Sequence, residues 1–450
     1  MNHCGNINNV IDVGMWPSLV GRLVRDEKVV SSNLAIPTNR NRSSAIELLF
    51  CYVRIIFDLR EGIQMAVIES KKKLGFGMMR LPERTDTEKG ELDNIDVEQV
   101  KEMVDTFIAR GFTYFDTAWM YHNKNSEQVV KLALTDRYSH DRYTLADKYH
   151  LAYVKDGTPE EVFLAQLERC GVEYFDYYLL HDMGHDNYGK FQEVGAFDMM
   201  AKMKAEGKIR HVGFSCHDKA PFLDRVLTEH PELEFVQIQL NYLDWDSPGI
   251  QAREAYEMIT KHNKPVIVME PVKGGMLANR IPESVEAAFK VYNPDLSVPS
   301  WAIRYAAGHD NVAVVLSGMS SMEQLLDNTG YMEDFKPLDE KEQELIRQAV
   351  TKINEGIEIQ CTGCSYCTAG CPMNIPIPEY FSLYNADQNE TRTDWTTQRE
   401  FYSRTALNSG KAGDCIGCGQ CEAICPQHLP IIENLKKVAA YFEGDGDKEA

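Results

Sequence analysis

Eight of the twelve cysteines fall in two runs of one form, C-x₂-C-x₂-C-x₃-C-P. The first is Cys361, Cys364, Cys367 and Cys371 followed by Pro372; the second is Cys415, Cys418, Cys421 and Cys425 followed by Pro426. This spacing is that of thiolates holding iron–sulfur clusters. Short spacers let three thiolates on one loop reach three irons of a cubane. The fourth, held away by a helix that starts after the x₃ turn, reaches the other cluster. Two [4Fe-4S] clusters are therefore expected, one on Cys361, Cys364, Cys367 and Cys425, the other on Cys415, Cys418, Cys421 and Cys371. Zinc is the competing metal, since a structural zinc site needs only four ligands. Duplication of the run, with Pro after each fourth cysteine, argues against it. The other cysteines, Cys4, Cys51, Cys170 and Cys216, stand alone and read as small buried apolar residues.

A second constellation could do carbonyl chemistry: Asp116 and Tyr121 in the segment 115–121, Lys148 in the segment 143–148, and His181 at the end of Tyr177–His181. A phenol can give a proton to a developing alkoxide, but its ordinary pKa near ~10 is high for that task. A neighbouring ammonium is expected to lower it. Asp116 would hold Lys148, and His181 would polarise or orient the carbonyl. Singly, each has a plainer reading: a loop or capping carboxylate, a packed Tyr, a solvated Lys, a hydrogen-bonded structural His. Their ordered placement after three successive strands favours the joint one.

The elements that must position them alternate from Leu74 to about Gly330. Strand-like runs occur at Leu74–Leu81, Phe112–Ala118, Tyr143–Ala146, Tyr174–Leu180, His211–Ser215, Phe235–Leu240, Val266–Met269 and Val312–Leu316. Helical patterns lie between them, among them Val97–Ala109, Ser126–Leu134 and Thr158–Arg169, with Thr158 a plausible N-cap. The later strands are continuous apolar runs, as parallel strands covered on both faces should be. The expectation is an α/β chain: a (β/α)₈ TIM barrel with a C-terminal, mainly α-helical ferredoxin-like domain. An open doubly wound sheet is disfavoured because no G-x-G-x-x-G follows the first strand. The domain plan is a non-native or disordered extension over 1–64, the barrel over 65–335, a bridging helix over 336–355 and the cluster domain over 356–450. Residues 60–62 (Arg-Glu-Gly) can be encoded as a ribosome-binding-site-like run just before Met65, which suggests that translation of the working protein starts there.

With 450 residues and a formal charge of −21, the chain is large enough for two or three domains and ill suited to nucleic acid. Its longest greasy stretch, Ala45–Leu59, is broken by Glu47, Arg54 and Asp58 and falls short of the ~20 residues a membrane helix needs. Cysteines grouped for metal in a large chain indicate a reducing, cytoplasmic compartment.

The barrel constellation resembles the aldo-keto reductase family. The segment 207–215 is similar to the family's strand-five segment, in which Ser215 would contact the nicotinamide amide. Gln237 and Asn241 fall in the strand-six segment. Residues 317–324 and Asn328 are similar to the strand-eight loop and helix that grip the adenosine half. The resemblance thus implies cofactor contacts from Ser215, Gln237, Asn241, Ser317, Gly318, Gln324 and Asn328, with NADH or NADPH as the cofactor. The cysteine runs resemble two-cluster ferredoxins, and their long spacer, Pro372–Asp414, resembles the α-helical kind fused to larger redox enzymes. Together these features place the chain with the iron–sulfur subgroup of aldo-keto reductase-like oxidoreductases. It departs from the family pattern at Asp147, where a small or hydroxyl residue usually precedes the lysine. Glu270-Pro271 replaces the aromatic after strand seven, and Gly318 and Gln324 stand where other members carry cations for a 2′-phosphate.

The implied function is hydride exchange between a nicotinamide and a small carbonyl or alcohol substrate, with the clusters relaying electrons, for which a redox partner protein is expected. The alternatives are an electron-transfer subunit or a redox-sensing binding protein whose barrel lacks carbonyl reductase activity.

Overall fold

A computed structural model describes residues 67–68, 72–84, 91–361, 363–388, 395–425 and 427–444. The expected extension over 1–64 lies outside them.

In chain order the elements are β1 (Leu74–Gly77), α1 (Val97–Ala109), β2 (Tyr114–Asp116), α2 (Ser126–Val130), β3 (Thr144–Tyr149), α3 (Pro159–Cys170), β4 (Phe175–Leu180), α4 (Tyr188–Glu193), α5 (Ala196–Ala205) and β5 (Ile209–Cys216). They continue with α6 (Ala220–Glu229), β6 (Phe235–Gln239), α7 (Ala252–Lys261), β7 (Val266–Met269), α8 (Met276–Asn279), α9 (Glu283–Tyr292), α10 (Val298–Ala307) and β8 (Val312–Ser317). After the barrel come α11 (Met322–Glu333), α12 (Glu340–Glu355), α13 (Ile377–Asp387), α14 (Thr397–Asn408), α15 (Gln420–Ile424) and α16 (Ile431–Phe442). Strands β1 to β8 pair in parallel with their neighbours, and β1 closes on β8 through Leu74↔Val315, so the sheet is a closed barrel. Among the described residues no helix is long and apolar enough to cross a membrane.

Side-chain alternation along each strand decides what enters the barrel. Its interior holds Tyr114, Ala146, Tyr177, Leu179, Phe235, Ile267, Val314 and Leu316. Leu145, Tyr149, Phe214, Val236 and Val315 face the helical layer. Two strand glycines make the interior fit: a Cβ on Gly75 would meet Leu316 and Val314 at 2.8 Å, and one on Gly213 would meet the Phe235 carbonyl at 2.6 Å. The helix α3 starts where Thr158 caps it in a reciprocal box with Glu161, which satisfies otherwise orphaned N–H groups. The bridging helix α12 is anchored by a buried fork, Arg304 to Glu342 at 2.7 and 2.9 Å.

Some boundaries differ from the sequence reading. Lys148 lies within β3 rather than after it, because hydrogen bonding to β4 continues through Tyr149. In the second cysteine run the short helix α15 precedes Cys425 instead of starting after it.

The C-terminal helices have their own core, built around Ile375, Tyr380, Phe381, Leu383, Tyr402, Leu435 and Val438. They pack onto the barrel at the loops after β4, β5 and β6. Ser382 on α13 meets Ser247 at 3.0 Å, Glu379 pairs with Lys219, and Arg404 on α14 reaches the loop after β4.

Candidate active site

Alternation along β3 turns Lys148 inward and Asp147 outward. Lys148 is fully buried. Its ammonium donates to Asp116 Oδ1 at 2.6 Å, to the Thr117 carbonyl at 2.7 Å and to Tyr121 Oη at 3.3 Å. Tyr121 is held by the loop after β2, where three consecutive residues, His122, Asn123 and Lys124, take left-handed φ. That loop is tied to β1 by Ser126, whose hydroxyl donates to the Met78 carbonyl at 2.9 Å and meets Thr117 Oγ1 at 2.8 Å. The His181 ring stands edge-on to Tyr121 with centroids 5.9 Å apart. The four candidate residues thus converge on one point at the C-terminal mouth.

Burial opposes ionisation at both ends of the Asp116–Lys148 pair. It lifts Asp116, and it pulls on Lys148, but Asp116 and Tyr121 more than offset that pull and leave Lys148 above its ordinary value. The direction at Lys148 agrees with its three close acceptors. Tyr121 departs from the sequence expectation. Burial raises its pKa, Asp116 adds to the rise, and the Lys148 ammonium only partly counters them. The phenol therefore keeps its proton. Burial, then the Lys148 charge, hold His181 well below the usual imidazole range, so the ring is neutral. Its Nδ1 is buried without a partner.

Asp147 does not disturb this arrangement. It lies on the helical side of β3, where burial and neighbouring Glu127 raise its pKa. Its Oδ1 accepts the Lys148 backbone N–H at 2.8 Å.

The residues expected at the nucleotide are spread more widely. Ser215 and Gln237 face the barrel interior and are buried. Ser215 Oγ accepts the Asp182 N–H at 2.8 Å, while Gln237 Oε1 is buried without a partner. Asn241 is buried and fully hydrogen-bonded within the protein. Its amide nitrogen serves Asp244 and the Glu270 carbonyl, and its oxygen accepts two backbone N–H groups. Ser317 points to the helical layer and accepts from Asn328 at 2.8 Å. Gln324 is exposed and accepts the Ser320 N–H at 2.8 Å. Gly318 is exposed beside Arg80, whose Nη1 would be 3.7 Å from a Cβ placed there.

The mouth also contains residues that the sequence reading passed over. His150 directly follows β3 and His217 directly follows β5, as His181 follows β4. An imidazole after each of three successive strands was the signal available. His150 lies 5.4 Å from His181, ring to ring. Arg404 and Trp395 come from the C-terminal region, and Trp395 lies 5.9 Å from the His217 ring. Nothing in the spacing of either marks it.

The cysteines ring two small cavities. Cys361, Cys364, Cys367 and Cys425 line one, with Phe381, Leu429 and Ile431. Cys371, Cys415, Cys418 and Cys421 line the other, with Ile375, Ile432 and Leu435, and Ile377 borders both. Four thiols around an apolar-walled space are a donor set that fits a cubane. Among the described residues no three His, Cys, Asp or Glu side chains gather as a site for one metal ion. Cys170 and Cys216 are buried, as expected.

The sequence profile of the Aldo/keto reductase family matches residues 73–351, well over half of the chain. The chain belongs to the aldo/keto reductase family. A 4Fe-4S dicluster domain follows at residues 360–429, so this member of the family is an oxidoreductase with an iron–sulfur domain. It is similar to an uncharacterised oxidoreductase of Bacillus subtilis, at 25% identity over 50% of this chain and 79% of that protein. It is also similar to the NADH-specific methylglyoxal reductase of Escherichia coli, at 22% identity over 48% of this chain and 78% of that protein. The barrel fold matches an aldo-keto reductase from Klebsiella pneumoniae in complex with NADPH, with a TM-score of 0.50 and 21% identity over 61% of this chain and 90% of that one.

The buried imidazoles make stability depend on pH. Burial, then Arg404, push His217 down to about 3, with Glu270 opposing. Above the ordinary imidazole pKa of ~6.5 both folded and unfolded chains carry a neutral ring. Below it the unfolded chain takes the proton first, so stability falls as pH drops towards 3. Replacing His217→Gln should remove close to one proton, ~1.4 kcal/mol per pH unit, from the slope of unfolding free energy between pH 6 and 5. Denaturant titrations of both proteins at these pH values measure it; identical slopes would contradict the assignment.

Proposed function

We propose that the barrel exchanges hydride between a nicotinamide and a small carbonyl or alcohol substrate. The carrying observation is the Lys148 ammonium set between Asp116 and Tyr121, with the neutral His181 ring against the phenol. The nicotinamide, when bound, supplies or takes the hydride. Gln237, with its unpartnered buried Oε1, and Ser215 would hold the carboxamide end, and the strand-eight loop at Gly318 the far end. Tyr121 donates its proton to the developing alkoxide. Lys148, 3.3 Å away, stabilises the phenolate left behind, and Asp116 holds Lys148. A neutral His181 orients the carbonyl by hydrogen bonding without competing as an acid. The barrel over 65–335 and the cluster domain over 356–450, joined by the helix over 336–355, are the proposed working parts, in the cytoplasm.

The cluster region is proposed to hold two [4Fe-4S] clusters in crossed sets, which the two four-cysteine cavities support. They would exchange single electrons with a partner protein. Passing a hydride's two electrons to them needs a group able to accept a pair and release it singly.

Tyr121→Phe should lower carbonyl turnover by about 10²–10⁴ while nucleotide affinity stays within a few-fold; steady-state kinetics that show no loss would remove Tyr121 as the acid. Cys371→Ser should damage the cluster of the second run, and Cys425→Ser that of the first. Electron paramagnetic resonance of both variants tests this, and damage confined to the mutated residue's own run would refute crossing.

The nucleotide is expected to be NADH at least as readily as NADPH. The segment 316–328 has no Lys or Arg and holds Glu323 and Asp327. Lys273, the cation after β7, is fully buried against Asp244 at 2.7 Å. A 2′-phosphate needs such donors. Calorimetry with both nucleotides decides the matter. A tenfold preference for NADPH, about 1.4 kcal/mol, would contradict this expectation and point to Arg80 as the phosphate donor.

A further inference from the structure

Arg404 reaches from the C-terminal helices to the loops at the barrel mouth. It sits on α14, between the two cysteine runs, and its side chain is 3% exposed. Nη1 donates to the His217 carbonyl at 3.1 Å, Nη2 to the Asp182 carbonyl at 3.1 Å, and Nε to Asp186 Oδ1 at 3.0 Å. The carboxylates of Asp182 and Glu400 complete its surroundings at 3.0 and 2.9 Å. One planar guanidinium thus ties the loop after β4 to the loop after β5. Its planar fork of fixed donors serves two carbonyls and a carboxylate together.

The two carbonyls belong to residues that set the candidate site. Asp182 directly follows His181 and holds a left-handed φ of 56°, a conformation that a non-glycine residue keeps only when its surroundings impose it. Three contacts hold it here: the Asp182 N–H donates to Ser215 Oγ at 2.8 Å, and the carbonyl accepts from Asn187 Nδ2 at 2.8 Å and from Arg404 Nη2 at 3.1 Å. The loop is also shaped for the guanidinium, since a Cβ on Gly184 would stand 2.5 Å from Arg404 Nε. His181 has no side-chain partner to fix its Nδ1. Its ring direction is therefore set by its backbone together with edge-on packing against Tyr121 and His150.

We infer that Arg404 is a positioning residue, by which the cluster-bearing region sets the backbone after β4 and so the ring of His181. This rests on the reading of His181 as the carbonyl-orienting group. It gives the C-terminal region a part in barrel chemistry that needs no electron to pass between them.

The test uses full-length protein, purified without oxygen and with its iron in place. Arg404→Lys keeps the charge among Asp182, Asp186 and Glu400 but loses the fork. Ser382→Ala removes a different contact between the same two regions and serves as control. The ring resonances of His181, assigned with His181→Asn, should shift in Arg404→Lys and stay put in Ser382→Ala. Turnover of a simple aldehyde should lose tenfold or more in kcat in Arg404→Lys, while the nucleotide Kd stays within twofold. An unmoved His181 resonance in Arg404→Lys would overturn the inference. So would an equal shift in Ser382→Ala, which would mean general loosening, or loss of iron in Arg404→Lys, which would make the residue a folding element of its own region. If the wild-type protein reduces no carbonyl, the functional reading fails by itself, and the resonances alone still decide whether Arg404 positions His181.

Discussion

A lysine ammonium buried without water must be paired, because each unpaired buried charge costs several kcal/mol. Lys148 sets that constraint for the barrel mouth. Its partners come from β2 and the loop beyond, Asp116, the Thr117 carbonyl and Tyr121. That loop must therefore fold back over the strand ends, which explains its run of left-handed residues and its Ser126 tie to β1. The outer face of β3 carries a matching burden. Gln166 donates to Glu127 and to the Lys148 carbonyl at 3.0 Å each, and Arg169 pairs with Glu127. A strand with an ionisable side chain buried on each face leaves little freedom in register. A one-residue slip would exchange Lys148 for Asp147 inside the barrel.

The same alternation explains what could be read from sequence. Apolar runs with intervening helices were enough for the barrel, because parallel strands buried on both faces leave a continuous signal. Asp116 and His181 could be placed because each stands at a strand end, and Tyr121 because it lies in the loop that follows Asp116. Lys148 could be placed despite Asp147, since neighbours on a strand face opposite ways. The protonation of Tyr121 could not. Its ammonium neighbour was legible, but the depth of burial that outweighs it is a tertiary quantity. At the residues expected to contact the nucleotide, the hydrogen-bond partners within the protein could not be read. Asn241 shares its strand's inward parity, yet the turn ending in Asp244 takes up all its hydrogen-bonding capacity.

The cysteine runs were the clearest signal in the chain, since their chemistry is written in local spacing. The helices between them were legible only as helices. Nothing local marks Arg404 off from Arg399 five residues earlier, which stacks near Tyr441 within its own region. What separates them is which face of α14 meets the barrel, and that follows from how the whole C-terminal core packs.

A hydride carries two electrons and a cubane one, so direct exchange between barrel and clusters meets a chemical mismatch. Contact through Arg404 meets none. The segment that bears it, 373–414, lies between cysteines that line shared cavities, with Cys371 before it and Cys415 after it in one of them. The cysteines that flank α13 and α14 in the sequence therefore line one cavity. A cluster bound there would join the two ends of the segment that carries Arg404. On the proposed role of Arg404, the iron–sulfur region would act on the barrel by shape, through its contacts to the loops after β4 and β5.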